Sequence, residues 1–242
     1  MKIDGKTILI TGANRGIGRA LVEEALKRGA RQVYAAVRTP FVHSDRRVTP
    51  LTLDVTNATQ IREAVAQIKL LDVLINNAGV YSLHGDDFSD RSLLERFLAV
   101  NLLGTHDMIQ AFLPLLSRSR GAIVNVLSLA SFAGVPFTPA YAISKAAAFS
   151  MTQSFRALLA ERGVSVHGVF PGPVDTDMTR GLEMPKESTE SVARATLDGV
   201  EKGEEDILPD PISTSLAESW RSGEAKALER QFAAMAAELA RS

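Results

Sequence analysis

Residues 7–18 read Thr7-Ile8-Leu9-Ile10-Thr11-Gly12-Ala13-Asn14-Arg15-Gly16-Ile17-Gly18. The apolar run predicts a strand over 7–11. Ala20, Leu21, Ala25 and Leu26 recur at helical spacing and predict a helix over 16–28, stopped by Gly29. Three glycines stand at the junction. Glycine lets the main chain turn tightly and approach a ligand with no Cβ in the way, and a helix N-terminus offers free N–H groups to an anion. A strand feeding a glycine turn that opens a helix therefore predicts an α/β fold with a pyrophosphate seat at the turn.

Outward from this unit, runs rich in Ile, Val and Leu alternate with helical patterns. Strands are predicted near 7–11, 32–37, 51–54, 73–76, 122–127, 164–170 and 207–208. Apolar strands separated by helices imply a parallel sheet covered on both faces, so a single Rossmann-type, doubly wound α/β domain of about seven strands is expected. Residues 1–127 would serve mainly the cofactor, 128–212 catalysis and substrate, and 213–242 a helical tail. Thr138 as N-cap and Pro139 at the first helical position open a helix expected to reach about Arg162, with Gly163 ending it. Residues 38–50 are short for a parallel crossover and predict a loop with at most a helical turn. Residues 182–190 lack a period and predict a flexible segment, with a lid as one role, ahead of a helix near 192–202. In the tail, Leu228, Phe232, Met235 and Leu239 recur at helical spacing and should pack on the body.

A chain of 242 residues can bury one large core. The net charge of −1 gives no global field to hold nucleic acid or an acidic membrane surface, and neither partner is expected. The absence of cysteine excludes disulfides, thiolate nucleophiles and Cys-ligated zinc, and fits a reducing compartment. His43, His84, His106 and His167 are scattered, so no metal site is expected. The amino-terminal apolar run reads as a strand rather than a signal peptide, and no stretch approaches the roughly 18 apolar residues of a membrane span; a cytoplasmic location is expected.

Further motifs follow the glycine turn in order: Asn76-Asn77-Ala78-Gly79, Asn101, Ser128, Tyr141-Ala142-Ile143-Ser144-Lys145, and Pro171-Gly172 with Thr176. Together they resemble the short-chain dehydrogenase/reductase family, whose patterns T-G-x-x-x-G-x-G, N-N-A-G, Y-x-x-x-K and P-G-x-x-x-x-T they match up to about residue 180. The resemblance implies a dinucleotide held by Gly12, Asn14, Arg15, Gly16, Ile17 and Gly18. Asp54 and Val55 would meet the adenine, Asn77, Ala78 and Gly79 the adenosine ribose, and Pro171, Gly172, Val174 and Thr176 the nicotinamide end. Asp54 as a strand-end cap, and Asn76 and Asn77 as turn formers, are the alternatives.

An NADH-preferring site usually places a carboxylate at the end of the second strand. Here Ala35-Ala36-Val37 is followed by Arg38, and Arg15 lies in the glycine turn. Guanidinium groups pair strongly with phosphate, so Arg15 and Arg38 are placed to clamp a 2′-phosphate; NADP(H) is favoured and NAD(H) stays open. Arg46 and Arg47 are further candidates.

Tyr141 and Lys145, four apart on a helix, share one face. A free phenol has a pKa of about 10, and a neighbouring ammonium favours the phenolate, so the pair is expected to form a tuned acid. Ser128 at the end of an apolar strand can hydrogen-bond a carbonyl oxygen. The reaction implied is reduction of a ketone or aldehyde to an alcohol, or its reverse. The resemblance adds that Lys145 and Tyr141 contact the cofactor and that Asn101 holds a water that feeds the proton relay. Residues 81–83 and 129–137, with Met178, Leu182 and Met184, should bound a mostly apolar pocket. Ser128, Leu129, Phe137, Tyr141, Met178 and Leu182 are the expected substrate contacts, suited to a hydrophobic carbonyl compound.

Helices beginning near Ser89 and Pro139 are similar to the pair through which family members dimerise, which implies a homodimer. Residues 204–210 and a helical tail replace the glycine-rich end that builds a homotetramer in many members. Two rivals stay open: an NAD-dependent alcohol or hydroxysteroid dehydrogenase on the same scaffold, and a non-catalytic dinucleotide-binding regulator.

Overall fold

The computed structural model describes residues 1–39, 41–82 and 90–239. Seven parallel strands form one sheet in the order β3-β2-β1-β4-β5-β6-β7. They are β1 (Thr7–Thr11), β2 (Gln32–Val37), β3 (Val48–Thr52), β4 (Val73–Asn76), β5 (Ala122–Val126), β6 (Ser165–Val169) and β7 (Asp206–Ile207). Every residue of β1, β4 and β5 is buried, as expected for strands covered on both faces. The helices are α1 (Gly16–Lys27), α2 (Ala58–Gln67), α3 (Arg91–Leu98), α4 (Thr105–Ser119), α5 (Pro139–Leu159), α6 (Thr189–Lys202), α7 (Pro211–Thr214), α8 (Ala217–Ser222) and α9 (Glu224–Leu239).

Strand alternation sorts the core into two layers. Ile8 and Ile10 face α1 and α6, whereas Leu9 faces α2, α4 and α5. The chain builds outward from β1 through β2 to β3, then returns to β4 and builds the other way. The reversal leaves a crevice beyond the carboxyl ends of β1 and β4, where open α/β sheets bind ligands.

Several boundaries differ from the expected ones. The third strand is Val48–Thr52 rather than 51–54, because Val48 pairs with Val33 and the strand lies at the sheet edge, where Pro50 is tolerated. The loop before it has no helix among its described residues. Arg47 fastens it by donating to Asp45 and to the carbonyls of Leu26 and Ala30 at the end of α1, so Arg47 points away from the crevice. The helix opened by Thr138 and Pro139 runs to Leu159, tightens into a short 3₁₀ turn over Ala160–Arg162, and ends at Gly163 with φ +70°.

The tail corrects another expectation. Leu228, Phe232 and Met235 do not pack on the body but are about half exposed, at 47%, 59% and 56%. The opposite side of α9 docks. Lys226, 2% exposed, donates to Asp206 at 2.7 Å and to Glu229 at 2.9 Å, while Arg156 of α5 pairs with Asp206 and Glu229. Residue 228 lies about 200° around the helix from residue 226, so docking through the charges turns the apolar stripe outward. Leu83 and Ser89, expected at the pocket rim and a helix start, lie outside the described residues. Among the described residues, no helix is long and apolar enough to cross a membrane.

Candidate active site

The glycine turn is tied to the ends of three strands. Gly12 N–H donates to the Ala36 carbonyl at 2.8 Å. The Thr11 hydroxyl oxygen accepts from the N–H groups of Asn77 and Ala78 at 3.0 and 2.9 Å. The Asn77 amide donates back to the carbonyls of Thr11 and Gly12 at 2.9 and 3.2 Å. Gly12 and Gly16 take φ of +65° and +52°, the left-handed region that glycine alone enters cheaply. At Gly18 the constraint is space: a Cβ there would stand 2.1 Å from the Gly12 carbonyl oxygen.

The N-cap position of α1 is Arg15, whose side chain makes no capping hydrogen bond. The first-turn N–H groups thus keep their capacity for an anion, and the helix dipole favours one. Glycines that hold the backbone open beside an uncapped helix N-terminus suit a pyrophosphate.

A cavity of about 460 Å³ runs from this turn across the ends of β1, β4 and β5. Each position expected to hold the dinucleotide lines it: Gly12, Asn14, Arg15, Gly16, Ile17, Gly18, Arg38, Asp54, Val55, Asn77, Ala78, Gly79, Tyr141, Lys145, Pro171, Gly172, Val174 and Thr176. No carboxylate ends β2; Arg38 is exposed there. Arg15 reaches across the mouth to Asp177 at 3.6 Å, and Asp177 also pairs with Arg180. Asp54 both lines the cavity and caps the following turn, accepting from the Thr56 N–H and hydroxyl at 2.9 and 2.7 Å. Asn76 turns inward and donates to the Asn125 side chain at 2.9 Å, so it couples β4 to β5.

At the cavity's other end stand Ser128, Tyr141 and Lys145. Ser128 follows β5, and its hydroxyl is hydrogen-bonded to the Tyr141 phenol. The Tyr141 ring is met edge-on by Tyr81 at 4.9 Å and faces Phe97 at 6.5 Å. Lys145 Nζ donates to the Val126 carbonyl at 2.8 Å and lies 5.8 Å from the Tyr141 ring centroid.

The electrostatics differ from the expected tuning. Burial pushes the Tyr141 phenol up to about 12, and the Ser128 hydrogen bond offsets only part of that. Burial likewise holds the Lys145 ammonium down to about 8. Both groups sit where charge is poorly solvated, and the neutral phenol wins.

Asn101 occupies a wide π-helical turn, Ala99–Gly104, between α3 and α4, and is buried behind the cavity rather than lining it. Its Oδ1 accepts from the Val80 N–H at 2.9 Å, and its Nδ2 donates to the Val80 carbonyl at 3.1 Å and to the Ser144 hydroxyl at 2.9 Å. Ser144 donates in turn to the Tyr141 carbonyl at 2.7 Å. The asparagine side chain therefore clamps the strand-end loop to α5.

Of the expected substrate contacts, Met178 lines the cavity with Ser128 and Tyr141. Leu129, Phe137 and Leu182 do not; Phe137 stands 64% exposed on the loop after Ser128. Residues 182–188 are fastened as well: Glu187 exchanges backbone hydrogen bonds with Pro173 and Asp175, and Lys186 donates to the Thr179 carbonyl at 2.8 Å. Sequence reasoning missed Val80, Val126, Leu127 and Asp177 in the lining. Val126 acts through its carbonyl, which has no side-chain signature, whereas Asp177 adjoins the Thr176 motif and could have been found.

The family model described as short chain dehydrogenase matches residues 6–187. The chain is 34% identical over 205 residues to a sorbitol dehydrogenase of Cereibacter sphaeroides, covering 80% of each chain. It is 32% identical over 201 residues to a 3-oxoacyl-acyl-carrier-protein reductase of Thermotoga maritima, covering 75% of this chain and 79% of that one. Among solved structures, a short chain dehydrogenase of Burkholderia cenocepacia in complex with NADP superimposes with a TM-score of 0.87 at 36% identity, covering 96% of this chain and 98% of that one. With its fold, crevice and motif order matched over most of its length, the chain is a member of the short-chain dehydrogenase/reductase family.

Proposed function

We propose that the chain is an NADP(H)-dependent oxidoreductase that reduces a ketone or aldehyde to an alcohol and runs in reverse. The observation that carries this reading is a cavity with a glycine cradle and two arginines at one end and Ser128, Tyr141 and Lys145 at the other. The NADP held by the Burkholderia relative supports the cofactor choice, as does the absence of a carboxylate at the end of β2.

When bound, the reduced dinucleotide supplies a hydride to the carbonyl carbon. The cradle and α1 N-terminus would hold the pyrophosphate, Arg15 and Arg38 the 2′-phosphate, and Lys145 the nicotinamide ribose. Ser128 donates a hydrogen bond to the carbonyl oxygen and polarises it. Tyr141, protonated at neutral pH because its phenol titrates at about 12, gives its proton to the developing alkoxide. Lys145, charged below about pH 8, stabilises the phenolate that remains. A phenol pushed upward is a weaker acid than a free tyrosine, so the proton transfer depends on the Lys145 charge to stabilise the phenolate. Asn101 keeps Tyr141 in place through Ser144.

Leu127, Val80 and Met178 supply apolar surface near the reacting groups, which supports a hydrophobic substrate. Exposed Leu103, Ile143 and Leu158 on and beside α4 and α5 support a homodimer through that face.

The test is Tyr141→Phe. NADPH affinity should stay within about threefold while kcat falls by roughly 10²- to 10⁴-fold, the usual worth of a general acid. Near-normal turnover would remove Tyr141 from the mechanism.

A further inference from the structure

The register of the last two strands sets a carboxylate against the cavity wall. β6 and β7 pair with Val169 opposite Ile207, and the Phe170 N–H donates to the Ile207 carbonyl at 2.9 Å. Carried on past the strand ends, the same register brings Asp210 to Gly172, whose N–H donates to Asp210 Oδ2 at 2.8 Å. Asp210 is 4% exposed and lies beyond residue 187, where the match to the family model ends. Pro171 and Gly172 line the cavity. The Pro171 carbonyl accepts at 3.1 Å from the N–H of Leu129, the residue after Ser128. The turn that Asp210 holds is therefore a piece of the cavity wall beside the reacting groups.

The two carboxylate oxygens of Asp210 divide their work. Oδ1 accepts the Ser213 N–H at 2.9 Å and so caps α7. Oδ2 accepts the Gly172 N–H and, at 2.9 Å, the Ser213 hydroxyl. Every one of these partners is a donor, which suits a group that accepts at both oxygens. Gly172 allows the approach, since a Cβ there would stand 3.0 Å from Asp210 Oδ1. The backbone on either side is fastened separately: Pro171 by Leu129, and Pro173 through its carbonyl, which accepts the Glu187 N–H at 2.9 Å. The Gly172 N–H between them has Asp210 as its acceptor. Hydrogen bonds to a carboxylate are roughly twice as strong as those between neutral groups, so this one bond weighs heavily in fixing the turn.

We propose that Asp210 is a positioning residue for the reactive end of the dinucleotide: by holding the Gly172 N–H, it fixes the Pro171-Gly172 wall of the cavity at the end where hydride transfer takes place. This rests on the reading of the cleft as an NADP(H)-binding, carbonyl-reducing site. The glycine cradle stands at the opposite end of the same cavity. A turn released from Asp210 therefore disturbs the reactive end of the cofactor and leaves the adenosine end as it was.

The experiment compares the wild-type chain with two variants that separate the jobs of the carboxylate. Asp210→Ser keeps a good N-cap on α7 but is too short to reach Gly172, whereas Ser213→Ala removes a capping hydroxyl and leaves Oδ2 to Gly172. Calorimetric titrations measure the binding of NADPH and of adenosine 2′,5′-bisphosphate, which carries the adenosine end of the cofactor alone. Asp210→Ser should weaken NADPH about tenfold, leave the bisphosphate within about twofold, and lower kcat with a carbonyl substrate about tenfold. Ser213→Ala should leave all of these within about threefold. Hydrogen exchange followed by NMR gives a readout independent of turnover: the Gly172 amide should exchange faster in Asp210→Ser, while the amides of β1 and the glycine turn stay as in the wild type. Asp210→Thr, an N-cap that fills more of the vacated space, should give the same split and carries the test if Asp210→Ser does not fold. Equal losses of NADPH and the bisphosphate, or wild-type NADPH affinity in Asp210→Ser, would overturn the assignment. So would a Ser213→Ala chain that matches Asp210→Ser, which would reduce Asp210 to a cap on α7. A wild-type chain that binds NADPH and reduces no carbonyl compound would refute the proposed reaction alone, and the two affinities with the Gly172 exchange would then decide the role of Asp210.

Discussion

Gly18→Ala is the sharpest perturbation of the dinucleotide cradle, because its cost follows from distances. The added methyl would stand 2.1 Å from the Gly12 carbonyl oxygen and 2.5 Å from Asn77 Nδ2, where ordinary contact begins near 3.4 Å. Neither obstacle is free to yield: one is backbone, and the other is fixed by two hydrogen bonds to the Thr11 and Gly12 carbonyls. The first turn of α1 must therefore retreat by more than about 1 Å, and overpacking of that kind costs roughly 1–3 kcal/mol. Swinging Asn77 aside instead would lose its two hydrogen bonds at about 1 kcal/mol each, so either route costs on the order of 2–3 kcal/mol. If most of that falls on the cradle, NADPH affinity drops by about 10²-fold, since each tenfold step is about 1.4 kcal/mol. The assay is an NADPH fluorescence titration beside urea denaturation, with Gly134→Ala as control. A Cβ at Gly134 meets nothing within 4 Å, so that change should leave stability within about 0.5 kcal/mol. Wild-type NADPH affinity and unfolding midpoint in Gly18→Ala would refute the cradle argument.

Two further predictions concern charge. Arg38→Asp should weaken NADPH binding by about 10- to 100-fold, the worth of a charge-assisted hydrogen bond, and change NADH binding by less than about threefold. Equal effects on both would place Arg38 away from the 2′-phosphate. The second is a pH effect on stability. With the Lys145 ammonium held down to about 8 in the fold and an ordinary lysine near 10.5 in the unfolded chain, the unfolded chain binds more protons between those values. Wild-type stability should therefore rise relative to Lys145→Met as pH climbs from 8 toward 10, by on the order of 1–2 kcal/mol. Tyr141 works the other way only above pH 10, where an ordinary phenol ionises first. Denaturant midpoints of the two proteins at pH 7.5 and pH 9.5 check this, and a pH-independent gap between them would show that Lys145 is not held at a depressed value.

What the sequence revealed, and what it hid, divides along the range of the interactions involved. The strand, glycine turn and helix over residues 7–27 are local, and their periodicity and glycine spacing specify them. The same is true of Tyr141 and Lys145, whose spacing sets their shared helix face. The tail was misread because an apolar stripe normally packs inward, whereas α9 docks through Lys226 and Glu229 onto Arg156 and Asp206, partners far away in the chain. Nothing in the local pattern announces that cluster. The Tyr141 phenol was expected to be depressed by its lysine; tertiary packing decides otherwise, because burial is the stronger effect and Tyr81 closes over the ring. The third strand was placed three residues late because Pro50 argues against a strand in the sequence and is admissible only at the edge the fold gives it.

The central claim is that one cleft joins an NADP(H) cradle to a carbonyl-reducing Ser128, Tyr141 and Lys145. The most direct test is the steady-state oxidation of NADPH and of NADH, followed at 340 nm, with a panel of small and bulky ketones and aldehydes. The account predicts turnover with NADPH and hydrophobic carbonyl compounds, with kcat/KM at least about tenfold lower with NADH. Tight NADPH binding with no oxidation across the panel would contradict it and leave a nucleotide-binding protein without this chemistry.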